Sequence, residues 1–422
     1  MLARILGDWV RDARRRSLEL VADLSDAELL GPRLQIVNPP VWELGHVGWF
    51  QERWVLRHAR GRAPIRADGD ALYDSAAVGH DTRWGLPLPS REETLRYVTR
   101  VRDDVLELLE EREPTPEEAY FIRLSVFHED MHDEAFTYTR QTLGYPAPRL
   151  ALDRPPAAAA AGALAGDAEI AGGEMYLGAV PGEAPFVFDN EKWAHPVRLE
   201  PFAIARAAVS QRELLEFVEE AGYRRPELWS PAGLEWLRQT GAEHPVYWRR
   251  ENGSWERRDF DHWVPLEPNR AVVHVSWYEA EAYCRYRGRR LPTETEWEAV
   301  ATDLGARRRF PWGDAEPDPA RANLESRSMG CVDVGAHALG DSRGGCRQMI
   351  GNVWEWTQSD FLPYPGFAAD PYKEYSEPWF GTHKVLRGGC WATRGRLLRN
   401  TWRNFYTPDR RDVWAGFRTC AR

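Results

Sequence analysis

The sequence predicts a two-domain protein, a helical bundle followed by a loop-rich α+β domain. Three observations carry that expectation: the length, one compositional break, and a change of apolar periodicity across the break. At 422 residues the chain exceeds what one hydrophobic core serves, since single cores stop growing near ~250–300 residues. The break is ALDRPPAAAAAGALAGDAEI, residues 151–170, where aromatic and charged residues give way to Ala, Pro and Gly. Such a stretch has little to bury and reads as a linker. The expected organisation is therefore a bundle over 1–150, a linker over 151–170 and a second domain over 171–422.

Before the break, apolar residues recur at helical spacing. Ile5, Trp9, Leu18, Leu20 and Val21 mark a first helix, and Val47, Phe50, Trp54 and Leu56 a second. Leu95 to Leu109 and Tyr120 to Leu143 supply a third and a fourth, and Pro39, Pro40, Pro87, Pro89, Pro114 and Pro116 punctuate them. The pattern fits a bundle of about four long helices. The charge runs Arg14–Arg16 and Glu110–Glu113 read as solvated helix faces. After the break come short β-rich runs, EMYLGAV, VRLEPFAIA, AVVHVSW and HKVLRGG, with two helical stretches, SQRELLEFVEEAG and WYEAEAYCRYRG. Long irregular connections in a compact domain usually carry a site.

Composition excludes several classes. With 55 Lys+Arg against 65 Asp+Glu the net charge is −10, which argues against a nucleic-acid surface. No run of about 18 apolar residues suggests a membrane span, and the opening MLARILGDWVRDARRR gains charge before a signal-peptide core can build. A soluble, cytoplasmic protein with no polyanion partner is expected. Five cysteines, Cys284, Cys331, Cys346, Cys390 and Cys420, form no CxxC pair, so neither a disulfide framework nor a cysteine zinc site is expected.

The sharpest chemical signal is His128-Glu129-Asp130-Met131-His132 in the fourth helical segment. Residues at i and i+4 share a helix face, so both imidazoles can reach one ion. The string matches HExxH, the zinc-protease motif, in which Glu129 would be the general base. That reading needs a third ligand soon afterwards, but Ala135 and Tyr138 stand where the extended motif needs Gly and His. A better third ligand lies upstream at His46, on a helix where Gly45 and Gly48 permit close packing. Three imidazoles from two bundle helices would form a facial set with open positions, as an iron(II) oxygen site requires. Ligand type alone leaves zinc and a purely structural histidine group open.

NPPVWELGHVGWFQERWVLR and HEDMHDEAF resemble the DinB-like four-helix bundle of the ergothioneine-biosynthesis sulfoxide synthases. The second half resembles their formylglycine-generating-enzyme-like domain, of C-type-lectin-like α+β type, through Leu291-Pro292-Thr293-Glu294-Thr295-Glu296-Trp297-Glu298, Phe310-Pro311-Trp312-Gly313, Gly351-Asn352-Val353-Trp354-Glu355-Trp356 and Leu386-Arg387-Gly388-Gly389. The resemblance implies non-haem Fe(II) held by His46, His128 and His132, and O2-dependent joining of a chalcogen to the imidazole of hercynine, a trimethylated histidine betaine. It places the catalytic tyrosine at Tyr372, whose phenol would supply a proton. It places the betaine pocket at Tyr375, Asn404 and Phe405, where aromatic faces suit a quaternary ammonium that cannot donate hydrogen bonds. Formylglycine chemistry itself is not expected, because Thr393 and Leu398 stand near the positions of that family's cysteine pair.

Departures from the family pattern bear on the chalcogen donor. Synthases that use γ-glutamylcysteine hold its carboxylates with two arginines in the loop matching Gly79 to Pro87, and its amine with an aspartate. Here Arg83 is kept, but His80 replaces the other arginine and Tyr406 the aspartate. Met131 replaces a glutamine between the helix ligands. Removing one member of a buried charge pair costs roughly 2–5 kcal/mol. A neutral, polar, sugar-like donor would suit His80, Arg83, Trp84, Tyr406 and Arg410 better, as in the selenoneine synthases, which join hercynine to a selenosugar. An ergothioneine- or ovothiol-type synthase using cysteine or another thiol is the second expectation. A non-catalytic binding module is the third.

Overall fold

The computed structural model describes residues 1–152 and 160–422. The chain divides into two compact units, Met1–Leu152 and Asp153–Arg422. Residues 153–159 of the stretch read as a linker lie outside the described residues. Its end is ordered: Asp167–Ile170 is a strand paired antiparallel with Phe202–Ala205, because Asp-Ala-Glu-Ile alternates polar and apolar side chains with the period of a strand.

Four long helices build the first unit: Leu2–Val21, Pro40–Gln51, Arg91–Glu111 and Pro116–Leu143. Their ends follow local chemistry. Ser90 and Thr115 each accept a hydrogen bond from the backbone three residues on, while Glu93 and Glu118 close the reciprocal bond, satisfying amides that a helix start leaves open. Gly144 ends the fourth helix at φ 67°. The second helix continues into a π-helical stretch, Glu52–His58. Both Gly45 and Gly48 sit where no side chain fits: a Cβ would lie 2.3 Å from the Tyr73 ring and 2.6 Å from Val98 Cγ1 respectively.

One expectation fails inside this bundle. Arg14 and Arg16 are buried, at 0% and 2% exposure, so the Arg14–Arg16 run is not a solvated face. Arg14 points inward to form an ion pair with Glu129 at 2.6 Å, both side chains fully buried, and also donates to the Val98 carbonyl. Only the exposed Arg15 between them meets the expectation.

The second unit is α+β. A four-stranded sheet runs in the order Asn404–Tyr406, Lys384–Arg387, Trp354–Asp360, Ala415–Gly416, antiparallel except for the last pair. Smaller sheets comprise Gly173–Leu177 with His195–Leu199, and three strands between Trp248 and Pro265. Helices Gln211–Glu219 and Trp277–Tyr286 lie where the sequence suggests them. The run AVVHVSW forms no strand beyond an isolated bridge at Ala271, because His274 takes φ 62°, a left-handed conformation incompatible with a β-ladder.

The tryptophan-rich motifs brace this unit. Trp297, Trp354 and Trp356 are buried, and Trp297 donates to Glu355, which also pairs with Arg418. Glu298 pairs with Arg387, and Glu294 with Arg403. Buried carboxylates are tolerated here because each meets a guanidinium. All five cysteines are free and buried.

Candidate metal centre

Within the bundle, His46, His128 and His132 each offer a ligand nitrogen, and these atoms lie within 4.8 Å of one another. Ring centroids are 5.0 Å apart for His46 with His128 and with His132, and 4.5 Å for His128 with His132. Helical geometry explains the pair on the fourth helix, since residues four apart stack on one face. His46 comes from the second helix, where the bare Gly45 and Gly48 let the backbone close on Tyr73 and on Val98 of the third helix.

Two of the rings are oriented by hydrogen bonds. His46 Nδ1 donates to the Tyr73 carbonyl at 2.8 Å, and His132 Nδ1 donates to Glu43 Oε1 at 2.6 Å. A carbonyl and a carboxylate can only accept, so both rings carry their proton on Nδ1 and keep a lone pair on Nε2. Packing fixes the remaining freedom: Trp42 stacks on His46 at 4.9 Å, and Phe50 on His128 at 3.6 Å. Burial, followed by the neighbouring imidazoles, pushes His46 and His128 well below the ordinary histidine range. Those two rings are therefore held in the neutral form that binds a metal. Three converging imidazole nitrogens, two of the rings anchored from behind, match a divalent transition metal with open coordination positions.

Glu129 does not face this centre. Its carboxylate accepts from Arg14 and from the Ser17 hydroxyl on the other side of the helix. A general base must reach the reacting water, and Glu129 is committed elsewhere. The protease reading of HExxH thus loses its catalytic group.

The remaining candidates fall into two groups. In the first unit, His80, Arg83 and Trp84 share a short 3₁₀ turn, His80–Gly85. His80 donates to the Val37 carbonyl at 2.7 Å, Arg83 to Asn38 Oδ1 at 2.5 Å, and Trp84 to the Gly31 carbonyl at 3.2 Å. The turn is thereby tied to the segment that leads into the His46 helix. Arg83 is buried and lies 3.9 Å over the Trp42 ring, and burial lowers it to about 10.

In the second unit, Tyr372, Tyr375 and Phe405 belong to one aromatic cluster. Phe405 stacks on Phe361 at 4.0 Å and meets Tyr375 edge-on at 5.6 Å, while Tyr372 and Tyr375 are 6.2 Å apart. Tyr375 also stacks on Phe188 at 4.3 Å. Asn404 accepts from the Phe405 amide. Arg410 pairs with Asp412 at 2.6 Å and lies 5.2 Å from the Tyr406 ring centroid.

Sequence reasoning missed Glu43 and the Tyr73 carbonyl. Glu43 was findable, since it stands three residues before His46 inside the quoted string, within reach of anything His46 touches. Tyr73 carried no signal, because its contribution is a backbone oxygen.

Comparison with known proteins agrees with this architecture. Residues 155–422 match the sulfatase-modifying factor enzyme 1-like domain, and residues 10–136 the DinB superfamily. The chain is 37% identical over 429 residues to the hercynine oxygenase of Mycolicibacterium smegmatis, covering 99% of each protein. The hercynine oxygenase of Mycobacterium tuberculosis is also 37% identical, with 96% of each covered. A formylglycine-generating enzyme of Streptomyces coelicolor is 33% identical over 65% of this chain and 95% of its own length. A DinB-like bundle holding three converging histidines, joined to a sulfatase-modifying-factor-like domain, defines a class of oxygen-dependent oxidoreductase. Within that class, the chain belongs to the hercynine oxygenase family.

Proposed function

We propose that the protein joins hercynine to a selenosugar in an Fe(II)- and O2-dependent reaction, giving a selenoxide on the path to selenoneine. The observation that carries the hercynine and iron part is the trio His46, His128 and His132 in a chain related along its whole length to hercynine oxygenases. In the balanced reaction the imidazole C–H and the Se–H bonds break and a C–Se bond forms. One oxygen atom ends on selenium and the other in water, and the two substrates supply all four electrons. Iron bound by the three imidazoles would supply the oxygen-activating, one-electron chemistry.

The chain's own residues do the rest. Glu43 and the Tyr73 carbonyl hold two ligands in their metal-binding tautomer. Tyr375 and Phe405 offer ring faces to the trimethylammonium, and Asn404 an amide to the carboxylate. Tyr372 supplies a proton from its phenol. A neutral donor is supported by Arg410, whose charge is already met by Asp412. A thiol donor such as cysteine is the second reading, favoured by the retention of Arg83 itself.

Aerobic incubation with Fe(II), hercynine and, separately, a selenosugar, cysteine and γ-glutamylcysteine, with products read by mass spectrometry, tests the choice. Turnover with the selenosugar is expected, and turnover with γ-glutamylcysteine alone would overturn it. Tyr372→Phe should keep iron and substrate binding but lose selenoxide formation, and an unchanged product profile would remove the role.

A further inference from the structure

The segment that carries Tyr372 has little structure of its own. From Phe361 to Pro371 it contains three prolines and no helix or strand, and Lys373–Tyr375 is a single 3₁₀ turn. What holds such a segment in place must come from outside it.

Its first part is held by Arg403, which donates to the Leu362 carbonyl and lies over the Tyr364 ring; around Tyr372 itself, two outside contacts meet on one carboxylate. Asp189 Oδ2 accepts from the Asp370 amide at 3.4 Å, and Asp189 Oδ1 from the Ser376 hydroxyl at 2.5 Å. These two anchors lie two residues before Tyr372 and four residues after it, so one side chain grips both ends of the segment. The grip is reinforced on each side. Lys192 Nζ meets both Asp370 oxygens at 2.7 Å, and Asn190 Nδ2 donates to Ser376 Oγ at 3.1 Å. Asp189 is 2% exposed, Asn190 and Ser376 0%. The platform beneath is itself pinned, because Glu191 takes a hydrogen bond from Arg399 Nε at 2.7 Å and another from Thr401 at 2.7 Å.

A buried carboxylate is costly unless its acceptors are used. Burial pushes Asp189 up to about 6, and a neutral side chain could not serve two donors equally well. We propose that Asp189 is a positioning residue, a two-ended latch that fixes the Tyr372 segment so that the phenol is presented in one place. This rests on the reading of Tyr372 as the proton-supplying group.

The test uses the full-length, Fe(II)-loaded protein with Asp189→Asn and Ser376→Ala. Hydrogen exchange followed by mass spectrometry should show amides of 366–376 exchanging at least tenfold faster, with the Pro116–Leu143 helix unchanged. In turnover, kcat should fall about tenfold or more, and the products should shift toward those of Tyr372→Phe, a change that weaker hercynine binding through the neighbouring Tyr375 would not by itself produce. Unchanged exchange in both variants overturns the latch, as does faster exchange with normal kcat when Tyr372→Phe is inactive. If Tyr372→Phe is fully active, the tyrosine reading fails, and the exchange measurement alone decides whether Asp189 holds the segment. Should Asp189→Asn not fold, Ser376→Ala removes a single hydroxyl and gives the same readouts.

Discussion

The behaviour of each imidazole at the centre depends on the atom behind it. Glu43, 1% exposed, holds the His132 Nδ1 proton and so leaves the other nitrogen basic and aimed. Partners of this kind are typically worth 10–100-fold in metal affinity. Glu43→Ala should therefore weaken Co(II) or Fe(II) binding by that factor, and Glu43→Gln, which keeps an acceptor but loses the charge, by less. Equal affinity in Glu43→Ala would show that the contact does not matter. At this scale the sequence was informative about which imidazoles converge and less so about what holds them. The convergence of His128 and His132 was legible because helical spacing puts i and i+4 on one face, and Glu43 could have been found beside His46. The Tyr73 carbonyl could not, since any residue could supply it. Arg14 was misread because a run of three arginines resembles a solvated face, while the partner that draws it inward, Glu129, lies 115 positions away.

The element that presents two of the three converging histidines, the helix Pro116–Leu143, begins at a strongly polar knot. Glu118 accepts from the Thr115 amide, from Arg112 and from Arg60, and these contacts hold it near 2 rather than 4.5. Because the folded value is depressed, the unfolded chain takes up the proton first. The stabilisation is present above about pH 4.5 and drains away as pH falls toward 2. Solvent screening at this partly exposed knot keeps it to roughly 1–2 kcal/mol. Urea unfolding at a series of pH values should show Glu118→Gln less stable than the parent at pH 7, with the two converging below pH 3. A constant gap would mean that the charge is not what matters. The second helix makes a steric prediction: Gly45→Ala puts a methyl into the Tyr73 ring and should cost about 1–3 kcal/mol, with loosened metal binding as the Tyr73 carbonyl shifts. Helix starts of this kind carry a local signal, Ser90 with Glu93 and Thr115 with Pro116 and Glu118, that apolar spacing passes over, which is why the runs from Leu95 and Tyr120 begin a turn inside the helices. The same signal at Thr293 and Glu296 opens the helix Glu294–Thr302, but there it was absorbed into a motif. The strand Trp354–Asp360 was likewise hidden, because its residues are set by buried ion pairs rather than by alternation.

For the molecule as a whole, the division into two units bears on where an ion's binding energy goes. All three converging histidines belong to Met1–Leu152, and they come from segments more than eighty residues apart, so no preformed site exists in the unfolded chain. A metal that binds only the folded bundle adds RT ln(1 + [M]/Kd), about 2.7 kcal/mol at a hundredfold excess over Kd. For a unit of this size, each kcal/mol moves the midpoint by roughly 2–4 °C. Anaerobic thermal unfolding with Fe(II) at that excess should accordingly show a midpoint about 5–10 °C above that with a chelator. His46→Ala removes one of three nitrogens without touching the Glu43–His132 contact, so it should fold in the presence of chelator and show no upward shift with Fe(II). An equal shift in parent and variant would place the ion elsewhere and take His46 out of the ligand set. A shift lost in His46→Ala, His128→Ala and His132→Ala alike would separate the three-imidazole centre from the extended zinc-protease arrangement that the same five-residue string could otherwise encode, because that arrangement takes its third ligand from downstream of His132 and makes no use of His46.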